Sequence, residues 1–72
     1  MSDSVYKIIE LVGTSEDSWE AATKNAVETA AASLSDLRIA EVTKLDVKLE
    51  NGKVVAYRAR VNVSFRIQDR AD

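Results

Sequence analysis

The sequence predicts a single α+β domain over residues 1–72, built in the order β-α-β-β. Three observations carry this. An apolar run ending at Leu11-Val12 gives way abruptly to Gly13-Thr14-Ser15-Glu16-Asp17-Ser18-Trp19, the pattern of a strand turning into a helix. Apolar residues then recur at helical spacing. Finally, Asn51-Gly52 separates two runs of strand character, the strongest short-range hairpin signal, because both central residues of a type I′ turn take positive φ.

The first strand is expected over residues 5–12, with Val5, Ile9 and Leu11 on one face and Tyr6, Ile8 and Val12 on the other. Apolar character on both faces suits a strand covered on both sides. Gly13 is expected to end it. Ser15 is the expected helix N-cap, which places Glu16, Asp17 and Glu20 near the positive end of the helix dipole. The helix should run over 16–34 or 16–35. At 100° per residue, Trp19, Ala22, Thr23, Ala26, Val27, Ala30, Ser33 and Leu34 form one mostly apolar stripe, opposite Glu20, Lys24 and Glu28. A second strand is expected over 39–50 and a third over 53–68, where Val55, Tyr57, Ala59, Val61, Val63, Phe65 and Ile67 alternate with polar residues. The helix reverses the chain, so the first two strands run parallel. Fully antiparallel pairing then requires the third strand in the middle, giving a three-stranded antiparallel sheet of order 1-3-2 with the helix on one face.

A domain of 72 residues buries only about 60% of its unfolded surface and has a marginal core. Cys and His are both absent, which removes disulfides and the commonest soft or imidazole metal sites. Association with further subunits remains as the source of extra stability. Twelve acidic and ten basic residues are interspersed, for a net charge of −2. No basic block points to nucleic acid, and no apolar run approaches the roughly 20 residues that span a bilayer. Met1-Ser2-Asp3-Ser4 lacks the character of a signal peptide, and a cytoplasmic location is expected. No nucleophile has an activating base at an evident spacing, so the chain does not read as an enzyme. Ser15 at a helix start is better explained by capping than by phosphate capture, since Glu16 and Asp17 would repel an anion.

A two-residue turn pairs Glu50 with Lys53 and sets the hairpin register. Carried on without interruption, it places Leu49 opposite Val54, Val47 opposite Ala56, Leu45 opposite Arg58, Thr43 opposite Arg60, Glu41 opposite Asn62 and Ile39 opposite Ser64. All of these would lie on the side away from the helix, with Asp46 opposite Tyr57 on the helix side; a bulge would break this register. Leu45, Val47, Leu49 and Val54 then mark a subunit contact. Further along, Glu41, Thr43, Arg58, Arg60 and Asn62 make a polar patch beside Ile39. Arg58 and Arg60 with Glu41 either grip an anionic ligand or form cross-strand ion pairs at a subunit contact. Trp19, on the apolar stripe, reads as a core or interface residue before a ligand-stacking one.

The stretch Leu11 to Trp19, together with Val61-Asn62-Val63-Ser64-Phe65-Arg66 in so short a chain, resembles the dodecins over about residues 5–68. Dodecins are small flavin-binding proteins that assemble into hollow dodecamers. The resemblance implies a sheet curled around its helix, a homododecamer, and storage of a small molecule or ion rather than its conversion. It also implies that Ile39 stands where dodecins carry a flavin-stacking tryptophan. Arg58 stands where a glutamine bonds the flavin ring, and Asp46-Val47 where many bacterial members have Arg-Gly. Ile39, Glu41, Asp46 and Arg58 are therefore the candidate cofactor-binding residues. Ile39 offers no π-face, and stacking is worth about 1–3 kcal/mol per ring by analogy with bases on aromatics. Arg58 is a donor-only cation in place of an amide that both donates and accepts. Flavin binding is thus expected to be weak. Ser18-Trp19-Glu20 without the stacking tryptophan is similar to a calcium-binding subgroup, which makes calcium the alternative ligand, with its ligands unassigned. Calcium wants six to eight oxygens, and no D-x-D-x-D-G loop is present, so such a site would form between subunits. A structural shell with no dedicated ligand is the third reading.

Overall fold

The computed structural model describes residues 3–70; Met1 and Ser2, part of the segment read for signal-peptide character, lie outside the described residues. The elements are β1 (Asp3–Ser15), α1 (Trp19–Ser33), β2 (Leu37–Glu50) and β3 (Lys53–Arg70). The sheet has the order β1-β3-β2, and β3 pairs antiparallel with both neighbours, as the connectivity requires.

The start of the helix differs from expectation. Gly13 does not end β1, which continues through Thr14 to Ser15. A Cβ at Gly13 would fall 2.0 Å from the Ala22 carbonyl oxygen and 2.8 Å from the Ala26 Cβ. The glycine therefore serves close approach of α1 to the strand, not a turn. Ser15 is not the N-cap; its Oγ accepts from the Asp17 N–H at 2.9 Å, in a local serine turn. Ser18 caps the helix from extended backbone, its Oγ accepting from the Ala21 N–H at 3.0 Å. Glu16 and Asp17 consequently precede the helix, and Glu20 alone occupies its first turn. The other end comes slightly early. Leu34 donates its N–H to the Ala30 carbonyl at 2.8 Å, and Asp36, in the left-handed region at φ 63°, turns the chain into β2.

The core is narrow. Ala22, Ala26 and Ala30, one turn apart on α1, pack on Ala59, Val61 and Val63 of β3, with Ile9, Leu11, Val27, Leu34 and Leu37 around them. Small residues on both sides let the helix lie close. A 15-residue helix spans only about 22 Å, whereas the molecule is 58 Å long. The hairpin therefore runs well past its cover. Leu45, Leu49 and Val54 are each at least half exposed, and Ile39 is 68% exposed.

The hairpin register begins as expected. Asn51 (φ 52°) and Gly52 (φ 76°) form the turn, with Glu50 opposite Lys53 and Leu49 opposite Val54. Val55 is then an extra residue on β3, and Thr43 is an extra residue on β2. Between these two bulges the pairing is displaced by one, which exchanges the faces of the residues involved. Leu45 lies opposite Ala59 rather than Arg58, and Val47 opposite Tyr57 rather than Ala56. Asp46 lies opposite Arg58, not Tyr57. Leu45 and Val47 thus face the helix side, where Ala59 is buried. Beyond Thr43 the expected pairs return, Glu41 with Asn62 and Ile39 with Ser64.

Candidate functional site

The side of the sheet away from α1 is organised in rows across three strands. Ile8, Ser64 and Ile39 form one row; Glu10, Asn62 and Glu41 the next; then Val12, Arg60 and Lys44; then Thr14, Arg58 and Asp46. The antiparallel pairing puts each trio side by side, and alternation along β3 puts all four rows on one face. Ile39, Glu41, Asp46 and Arg58 all belong to it. Asp46 joins them only because of the two bulges.

The rows do not bring all four residues together. Ser64 and Arg58 are six positions apart on β3, roughly 20 Å at strand spacing. Ile39 and Glu41 line one end, an open depression of about 400 Å³ shared with Ile8, Asn62 and Ser64. Asp46 and Arg58 occupy the other end as a two-pronged ion pair. Arg58 Nε donates to Asp46 Oδ1 at 2.7 Å and Nη2 donates to Oδ2 at 3.0 Å. The bond from Arg58 holds the Asp46 carboxyl below its ordinary range, against a smaller upward pull from desolvation, and Arg60 adds to the lowering. The same bond raises the Arg58 guanidinium further. Glu41 makes no ion pair among the described residues, so the expected network of Glu41 with the two arginines does not form within one chain.

Asp46 also ties the two faces of the sheet together. Its carbonyl accepts from the Trp19 indole Nε1 at 3.0 Å. Trp19 meets Tyr57 edge-on, with ring centroids 5.1 Å apart at 73°. Trp19 is therefore a helix-side residue anchoring the start of α1 to the hairpin, as its place on the apolar stripe suggests. At the opposite end, Asp36 accepts from Arg38 Nε at 2.9 Å and Arg66 Nε at 3.0 Å. Desolvation pushes its carboxyl up, but the two arginine bonds and charges outweigh that and leave it lowered.

The row containing Ile39 is aliphatic, Ile8 being 64% exposed beside it. Tyr6, opposite Arg66, lies one row further out, a position that sequence reasoning placed on the Ile8 face without assigning it to the site. Lys44 was missed altogether, because the bulge that turns it onto this face leaves no mark in the sequence pattern. An isoalloxazine ring does not fit the Ile39 row as a stacked group, since nothing in that row offers an aromatic face. Among the described residues no three His, Cys, Asp or Glu side chains converge as metal ligands. Among the described residues no helix is long and apolar enough to cross a membrane.

A family model described as Dodecin matches residues 5–68 of this chain. The chain belongs to the dodecin family. Dodecin-family proteins are small binding proteins rather than enzymes, oligomeric, and hold small ligands or ions. Among relatives, the calcium dodecin of Mycobacterium tuberculosis is 40% identical over 65 residues, covering 90% of this chain and 92% of that protein. The dodecin of Thermus thermophilus is 37% identical over 65 residues, covering 90% and 94%. In solved structures, the Streptomyces coelicolor dodecin superposes with a TM-score of 0.87 at 35% identity, covering 94% of this chain and 97% of that one. The M. tuberculosis calcium dodecin, described as calcium-chelating with a novel calcium-binding site, superposes with a TM-score of 0.82 at 40% identity, covering 90% and 93%.

Proposed function

We propose that this chain is one subunit of a hollow homododecamer that binds and holds a small ligand or ion without transforming it. The observation that carries this reading is the uncovered sheet. One short helix covers part of one face, while among the described residues no element covers the other face, with Ile8, Ile39 and the charged rows. Exposed apolar surface on this scale marks subunit contact. The roughly 20 Å between the Ile39 row and the Asp46–Arg58 row adds a second point. A small ligand that touches both kinds of residue has to lie between two copies.

Flavin is a weak ligand in this reading. Ile39 supplies no stacking surface, and the donors of Arg58 that face Asp46 are already engaged. Calcium is the second reading, favoured by the 40% identity to a calcium dodecin. Its oxygens would come from more than one subunit, because a single chain gathers too few. The test is a melting curve of purified protein with calcium, with magnesium, and with a chelator, alongside titration of flavin fluorescence. A ligand that binds only the folded state raises the melting temperature by mass action. A calcium-specific rise supports ion storage. A yellow protein that strongly quenches flavin overturns the reading of Ile39, and indifference to both leaves a structural shell.

A further inference from the structure

We propose that Lys44 and Arg60 form a binding site for a phosphate-class dianion on the open face of the sheet, with Arg58 flanking it. The bulge at Thr43 is the origin of the site. In an uninterrupted hairpin Thr43 would lie opposite Arg60, and Lys44 would point to the helix side. The extra residue instead turns Lys44 to lie directly opposite Arg60. The Thr43 Oγ1 donates to the Arg60 carbonyl at 3.2 Å and fixes the arrangement. Bulges are concentrated next to functional sites, where they re-aim side chains.

Two cations directly opposite on neighbouring strands repel, and sheets ordinarily avoid this. The Asp46 charge acts on Arg60 at longer range, but no carboxylate makes an ion pair with either cation among the described residues. Nor does the side chain of Lys44 or Arg60 make a hydrogen bond among them. The adjacent carboxylate, Asp46, has each oxygen taken by Arg58. Glu10 and Glu41 lie one row away around Asn62, unpaired with either cation. Arg60 is moreover partly buried, which raises the cost of leaving a guanidinium without a partner. The block of Arg58, Asp46, Arg60 and Lys44 thus carries two net positive charges. A guanidinium fork suits phosphate oxygens, an ammonium adds a second donor on the adjacent strand, and two cations match the charge of a dianion.

The inference rests on the reading of this face as the ligand face, but not on flavin or calcium. Calorimetric titration at low ionic strength, with chloride as the matched control, tests it. The probes are inorganic phosphate and glycerol phosphate, which separate a free anion from one carried on an organic ligand. Saturable binding is expected for at least one. Lys44→Gln and Arg60→Gln should each weaken it by about tenfold or more, the worth of a charge-assisted hydrogen bond. Lys24→Gln removes the same charge from the outer face of α1, where Lys24 reaches Glu28, and should leave binding unchanged. Arg60→Lys, which keeps the charge but loses the fork, stands in if Arg60→Gln fails to fold. Absence of saturable binding overturns the proposal, as does an equal loss with Lys24→Gln. Light scattering on the same samples shows separately whether the assembly itself exists.

Discussion

Replacing Gly13 by alanine should be among the most damaging single-methyl changes available in this chain. The added Cβ would lie 2.0 Å from the Ala22 carbonyl oxygen, 3.0 Å from the Ala22 carbonyl carbon and 2.8 Å from the Ala26 Cβ. Two of these three are helix backbone, which no rotamer change can move, so α1 has to retreat by about 1 Å. A gap of that size forfeits a quarter to a half of each contact, and the contacts concerned are Ala22, Ala26 and Ala30 on Ala59, Val61 and Val63, the whole buried core. Overpacking of this kind costs about 1–3 kcal/mol, with rigid neighbours at the upper end. The smaller unfolded-chain entropy of alanine returns about 0.5 kcal/mol. A net loss of about 2 kcal/mol lowers the melting temperature of a domain this size by roughly 8–16 °C. Thermal unfolding by circular dichroism is the assay, at one fixed subunit concentration because assembly contributes to apparent stability. Gly52→Ala is the comparison. It places a side chain at φ 76° with nothing within 4 Å, so it costs only the left-handed backbone penalty of about 1–2 kcal/mol. A Gly13→Ala protein that melts within a degree or two of wild type would refute the close-packing argument.

Three further outcomes are expected. Leu49→Lys, at a side chain 58% exposed in the single chain, should shift the assembly toward smaller species on size-exclusion with light scattering, because a buried contact does not accept an unpaired ammonium. Ile39→Trp combined with Arg58→Gln should strengthen flavin binding, read as fluorescence quenching, by restoring a stacking surface and a neutral donor–acceptor. The Asp46 carboxyl is lowered from 3.8 in the folded state by Arg58. Its contribution to stability is therefore complete above the unfolded value and lost as pH falls below 3.8 through the depressed one. Asp46→Asn should remove this part of the acid destabilisation in melting curves below about pH 4, leaving the part due to Asp36, whose carboxyl is lowered as well.

The topology was legible because its signals are local. Asn51-Gly52 dictates a turn with two positive φ values, the alternation from Tyr57 to Phe65 marks β3, and connectivity alone puts β3 in the middle. The helix stripe was legible too, although only its alanines are buried. What was not legible depends on tertiary contact. Gly13 looks like punctuation, whereas its purpose is visible only when Ala22 lies on it. Ser15 and Ser18 are equally good caps by composition, and the serine turn at Asp17 decides between them. The bulges at Val55 and Thr43 carry no residue signature, so the interval between them was placed on the wrong face. That single displacement concealed the Asp46–Arg58 pair and the placing of Lys44 beside Arg60, while Ile39 and Glu41, beyond the second bulge, were placed correctly.

A native mass spectrum of the purified protein tests the central claim most directly, because one experiment reports stoichiometry and bound mass together. A core of three alanines on an alanine and two valines is too small to hold a sheet this long by itself. The spectrum should therefore show a homododecamer with no intact flavin retained. A folded monomer at micromolar concentration would contradict the account.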